Sequence, residues 1–287
     1  MCSLSRVRAV HITVQSLGNV ATRAELLQGG HRPRDLTEAI RSGQRLRLRR
    51  GYYATADATP AQRAAVKIGG RLSCSNAAST YGLWADPGPG EHSALHIAVP
   101  PTAARLGTDR AAGDLRIHWQ RDLEASDCWR VSLADCLRGV VRCSSEESAV
   151  ATLDTAIGLG LVDRARIRAI FGTEPIRSRL VASRAYPGSD SGVESLARQR
   201  LQRRGLEVRQ QIAVRGVGRV DMFVGGRLFV EIDGFEFHSS PRHFALDRRR
   251  DAAFVLGGHR RLRFTAVDVL RDWNRVERTI LDAPRLP

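Results

Sequence analysis

The sequence predicts an α+β protein built from several parts, on three observations. Segments with helical periodicity alternate with strand-like segments along the whole chain. The length of 287 residues exceeds the roughly 100 to 200 of a usual single domain, so two or three compact units are expected. The net charge of +15 is uneven, at +6 over residues 1–60, +2 over 61–190 and +7 over 191–287. Basic ends suit nucleic acid, because Arg neutralises phosphates and releases their counterions. Lys67 is the only lysine, so a coding bias toward Arg also raises the charge, and it is the uneven distribution that favours a nucleic-acid partner.

Other classes are disfavoured. No uncharged apolar run approaches the roughly 18 residues of a membrane span, and the first residues lack the apolar centre and cleavage site of a signal peptide. Cys2, Cys74, Cys128, Cys136 and Cys143 form no CxxC pair and are odd in number. That argues against a disulfide framework or a thiolate zinc site and for a reducing, cytoplasmic setting.

Residues 1–60 are expected to form a winged helix-turn-helix. TRAELLQGG reads as a short helix with Thr22 as N-cap and Glu25 as its capping-box partner, ended by Gly29 and Gly30. PRDLTEAIRSGQ starts with Pro33 in a first turn and stops at Gly43, with Leu36 and Ile40 facing one core. LRLRRGYYAT alternates like a hairpin turning at Gly51. This module would put Arg32, Arg34 and Arg41 near the second helix and Arg47, Arg49 and Arg50 on the wing, within reach of phosphates. The same residues also suit a small helical cap that only packs on its neighbour.

Residues 61–182 read as a mixed α/β middle domain. SNAASTYGLW, VSLADCLRGVV and ESAVATLDTAIGLG are helix-like, ALHIAV and DLRIHWQ strand-like, and DPGPGEH and VPPT turn-like. His92, His96 and His118 are scattered and carry no catalytic signal. SRAYPGSDSG, residues 183–192, reads as a linker.

Residues 193–287 hold the chemistry. GVESLARQRLQRRG places Val193, Leu196, Ala197 and Leu201 on one helical face, with Glu194 near its start. RVDMFV and RLFVEIDG are strands joined across Gly225 and Gly226, with Asp221, Glu231 and Asp233 on one side. A two-residue turn would separate Asp221 from Glu231, whereas a three-residue loop pairs 224 with 228 and sets the two acids opposite each other with the apolar sides coinciding. The three-residue loop is therefore expected. Converging carboxylates need a cation, and hard oxygens suit Mg²⁺ or Mn²⁺, which act on phosphate esters. The alternative is a patch salt-bridged by Arg219, Arg227 and the arginines that follow. In DRRRD, residues 247–251, the arginines could hold phosphates or form a solvated face, with Arg250 or Asp251 partly buried. TAVDVLRDWNRVERTIL is expected as one scaffold helix, capped by Thr265 and Asp268 and burying Val267, Leu270, Trp273 and Ile280.

Glu194 on a helix, Asp221 on a strand and EID on the next resemble the PD-(D/E)XK nuclease fold. EIDGFEFH followed by FALDRRRDAAFVLGGHRRLRF is similar to the endonuclease-like domain of unknown function related to very-short-patch-repair endonucleases, over about residues 191–281. The resemblance implies a restriction-endonuclease-like mixed sheet flanked by helices and metal-dependent DNA cleavage. It makes Asp221 the principal metal ligand, with Glu231 and Asp233 beside it, Glu194 the helix acid and His238 the general base. Arg219, Arg248 and Arg249 would join Arg34, Arg47, Arg49 and Arg50 in holding DNA. The chain departs from the wider superfamily at Asp233, where a lysine is usual. The N-terminal and middle parts are similar to the AbiEi-like antitoxin architecture of type IV toxin–antitoxin systems, with RRGYY at the wing turn. That likeness implies a non-catalytic DNA-binding regulator, with a partner toxin or a homodimer, as the competing account. RNA is a lesser expectation than DNA, and no membrane partner is expected.

Overall fold

The computed structural model describes residues 2–43, 46–85, 94–103, 106–107, 113–120, 127–234 and 241–283, with no statement on side chains at 2–5, 46 and 241–247. His92, His238 and the turn-like stretch 86–92 lie outside these residues. The protein is mixed α/β, as its patterning predicts, and divides into two compact units, residues 1–143 and 144–287. The stretch 183–192, expected as a linker, lies inside the second unit. No helix among the described residues is long and apolar enough to cross a membrane.

The first unit opens with α1 (Cys2–Ser16), β1 (Val20–Thr22), α2 (Arg23–Gln28) and α3 (Pro33–Arg41), then the hairpin of β2 (Leu46–Arg49) and β3 (Tyr52–Ala54). Thr22 caps α2, and Glu25 returns the bond to complete the capping box. Gly51 turns the hairpin at φ 82°, a left-handed conformation that favours glycine. Val7, Val10 and Val14 line one face of α1 and pack on Leu26, Leu36, Ala39 and Tyr53, with Ile40 partly buried against them. This core requires α1, which the sequence pattern alone does not reveal. The order of helices and the terminal hairpin follow the winged helix-turn-helix outline.

The unit continues through α4 (Pro60–Ile68), β4 (Arg71–Leu72), α5 (Cys74–Thr80), β5 (Leu95–Val99), β6 (Leu115–Trp119) and α6 (Leu133–Cys143). β4 pairs antiparallel with β5, and β5 pairs parallel with β6, setting Ala98 against His118.

The second unit begins with α7 (Glu146–Gly158), α8 (Arg164–Phe171), α9 (Ile176–Ser183) and α10 (Gly192–Arg203). A buried ion pair ties α7 to α10, with Arg198 Nη2 donating to Asp154 Oδ2 at 2.7 Å. Ser195 Oγ and Tyr186 N also donate to Asp154, at 2.6 and 2.7 Å. Burial pushes the Asp154 carboxyl up, against the pull of these donors.

A four-stranded sheet follows, from β7 (Val208–Val214), β8 (Gly218–Val224), β9 (Leu228–Asp233) and β10 (Arg260–Thr265), ordered β10-β9-β8-β7. The first three strands form an antiparallel meander, while β10 returns parallel to β9 after α11 (Pro241–Leu256). Val224 faces Leu228, the register expected of a three-residue loop. Gly225 and Gly226 in this loop both hold positive φ, 58° and 68°, left-handed conformations that favour glycine. Val220, Phe229, Val217 and Phe254 form the core beneath α11. The C-terminal segment breaks at Asp272 (φ −138°, ψ 49°) into α12 (Ala266–Arg271) and α13 (Trp273–Asp282). The buried set is accordingly Ala266, Val269, Val276 and Ile280, and Val267 is exposed.

Candidate functional site

Glu194 sits in the first turn of α10, whose N-cap Ser191 accepts from the Glu194 backbone N–H at 3.2 Å. Its buried carboxylate accepts from Ser191 Oγ (2.9 Å), Asp190 N (3.0 Å) and Gln211 Nε2 (2.9 Å). Burial, then the neighbouring charge of Asp221, pushes this carboxyl up to about 7. Gln211, in the middle of β7, holds φ 52°, a strained conformation for a residue with a side chain, beside the acids it serves.

Asp221 is half-buried on β8 and accepts from Ile232 N at 2.7 Å, which ties it to β9. Its carboxyl is also raised, first by burial and then by the like charges of Glu231, Asp233 and Asp190. One step along the observed register, Asp221 lies across from Glu231.

Arginines claim the surrounding acids. Glu231 accepts from Arg250 Nη2 at 2.8 Å and Arg261 Nη1 at 3.0 Å, so each oxygen has a guanidinium. Asp233 pairs with Arg263 at 2.8 Å, Asp190 with Arg219, and Asp251 with Arg261. Arg250 is half-buried at the sheet–helix junction, as expected of it or Asp251, and also donates to the Val217 and Arg219 carbonyls. No arginine pair is formed by Asp221 or Glu194 among the described residues.

Of the expected ligand set Asp221, Glu231 and Asp233, the carboxylates of Glu231 and Asp233 are paired with Arg250, Arg261 and Arg263 in this structure. Among the described residues, the acids of this group left without a cation are Asp221 and Glu194.

A second group gives no sign in the sequence. Cys74, His96, His118 and Cys143 bring four donor atoms within 4.8 Å of one another in the first unit. They are separated by 22, 22 and 25 residues, so no short motif reveals them. His96 and His118 meet because β5 and β6 pair in parallel, their rings stacked at 5.1 Å. Folding thus gathers histidines and cysteines that the sequence leaves scattered into a group that could hold a metal ion. Cys74 donates to Cys143 at 3.1 Å, and this bond with that from His118 holds the Cys143 thiol down to about 3, while Cys74 is pushed up. A cleft of about 350 Å³ lies alongside, lined by Cys74, His118, Arg138 and Cys143 among others.

Of the arginines expected to hold DNA, Arg34, Arg47, Arg50, Arg248 and Arg249 are exposed. Arg219 is exposed but paired with Asp190. Arg49 is spent on packing, with its guanidinium 3.9 Å from the centre of the Tyr52 ring and its Nε buried.

No family model and no curated protein matches this chain. A solved structure, that of the RV2827C protein from Mycobacterium tuberculosis, is similar over 69% of this chain and 81% of that one, at 17% identity and a TM-score of 0.32. That likeness is too distant to bear on fold or function.

Proposed function

We propose that the second unit hydrolyses phosphodiesters in DNA held by the basic N-terminal module, with Asp221 and Glu194 as the centre of the site. One observation carries this reading. The unit commits Arg219, Arg250, Arg261 and Arg263 to the neighbouring acids, yet among the described residues it leaves Asp221 and Glu194 with raised carboxyls and no cation. A fold that needed only neutralisation had the arginines to supply it. The strand, Arg-Asp helix and closing strand of β9, α11 and β10 follow the order of the patch-repair-like nucleases that the sequence resembles.

A divalent cation bound there would polarise a phosphoryl oxygen and lower the pKa of a bound water. Asp221, fixed by the Ile232 amide, presents its carboxylate in a set orientation. Glu194, fixed by Ser191 Oγ, the Asp190 amide and Gln211 Nε2, would present the second carboxylate to that cation. Arg250 and Arg261 fix Glu231, so its part is to shape the field around Asp221. Exposed Arg248 and Arg249 on α11 suit contacts to the phosphate backbone.

A non-catalytic DNA-binding regulator is the second reading. Full occupation of Glu231 by two guanidiniums and an acid, Asp233, in the usual lysine position favour it. Supercoiled plasmid with Mg²⁺ or Mn²⁺ separates the two. Nuclease activity should give nicked or linear DNA that disappears with EDTA and falls at least 100-fold in Asp221→Asn, with DNA binding kept. Binding without cleavage under either metal would leave the regulator.

A further inference from the structure

We propose that Cys74, His96, His118 and Cys143 bind one Zn²⁺ ion as a closed structural clamp in the first unit. The donor set decides the metal. Two sulfurs and two imidazole nitrogens are the soft and borderline ligands that zinc takes, and hard Mg²⁺ does not compete for them.

The donor separations lie near those of a tetrahedron, with the two sulfurs and the two nitrogens somewhat closer than an ion would hold them. Zn–S bonds of about 2.3 Å and Zn–N bonds of about 2.0 Å imply ligand–ligand edges of roughly 3.3 to 3.8 Å. The observed edges are 3.1 Å for Cys74 to Cys143, 3.6 and 3.9 Å from His118 Nε2 to the two sulfurs, and 3.0 Å from His118 Nε2 to His96 Nδ1. Bringing four such groups together without an ion would leave two imidazole nitrogens face to face, with one proton at most between them.

Two further features belong to the clamp. Cys74 holds φ 48° at the start of α5, a left-handed conformation that a residue with a side chain adopts only at a cost in backbone strain. On α6, one turn before Cys143, Gly139 leaves room for the Cys74 sulfur, since a Cβ there would lie 3.0 Å from it. Backbone strain on one helix and a missing side chain on the other both serve to seat one sulfur.

Each ligand comes from a different element: α5, β5, β6 and α6. The ion would therefore join β5 and β6 to the two helices and close loops of more than 20 residues each. Four protein ligands leave no open position, which marks a structural site. Both cysteines would coordinate as thiolates, so binding two thiols releases their protons to solvent.

The test is metal analysis of the full chain purified without chelator. One zinc per chain is expected, lost in Cys143→Ser and in His96→Ala, and kept in Cys136→Ser and Cys128→Ser. Should the ligand variants fail to fold, Co²⁺ replacement in the wild-type chain gives an independent readout, a thiolate-to-cobalt charge-transfer band with tetrahedral d–d absorption. Cobalt bound without thiolate charge transfer overturns the proposal. So does a metal-free protein in which Cys74 and Cys143 form a disulfide on non-reducing peptide mapping.

Discussion

Glu194 carries the sharpest pH consequence. Its folded carboxyl, near 7, lies above its ordinary 4.5, so between these values the folded chain holds a proton that the unfolded chain releases. The stability linked to that proton is complete below about pH 4.5 and is lost as pH rises toward 7. Glu194→Gln removes the penalty. Urea unfolding should show the variant equal to wild type at pH 4 and more stable by up to about 3 kcal/mol at pH 8. An unchanged pH profile in the variant would mean that Glu194 is not held near neutrality. The acids themselves were legible in the sequence, because Asp221 and Glu194 interrupt apolar patterns. Their partners were not, since Arg250 and Arg261 reach Glu231 from a helix and a strand whose packing no local pattern encodes.

At the level of elements, α7 and α10 are joined by the buried Asp154–Arg198 pair. Removing one partner strands the other charge, so Asp154→Asn should cost about 3 kcal/mol in denaturant unfolding. Asp154→Asn with Arg198→Met should recover most of it, because the amide oxygen can still accept from Ser195 Oγ or Tyr186 N, and a double variant as unstable as the single one would refute the pairing argument. Elements with strong local signals were legible: the Thr22–Glu25 capping box, the Gly51 hairpin and the Gly225–Gly226 loop that sets the β8–β9 register. α1 was missed because its buried face, Val7, Val10 and Val14, is blurred in the sequence by other apolar residues such as Ile12, which is exposed. The Cys74, His96, His118 and Cys143 cluster was missed because only tertiary structure assembles it, the β5–β6 pairing for the histidines and the approach of α5 to α6 for the cysteines.

For the whole molecule, a net charge of +15 concentrated at the two ends should make the proposed DNA binding strongly salt-dependent. Replacing exposed Arg34, Arg47 and Arg50 with Ala should reduce the slope of log K against log salt by roughly 0.9 for each phosphate that is no longer neutralised. Arg49→Ala should instead lower stability, because that side chain packs on Tyr52. Calorimetric titration with Mn²⁺ reads out the divalent cation proposed to sit at Asp221 and Glu194. One site should be measured in the wild-type chain, lost in Asp221→Asn and retained in Glu231→Gln and Cys143→Ser. Equal Mn²⁺ binding by wild type and Asp221→Asn, or none by either, would contradict it.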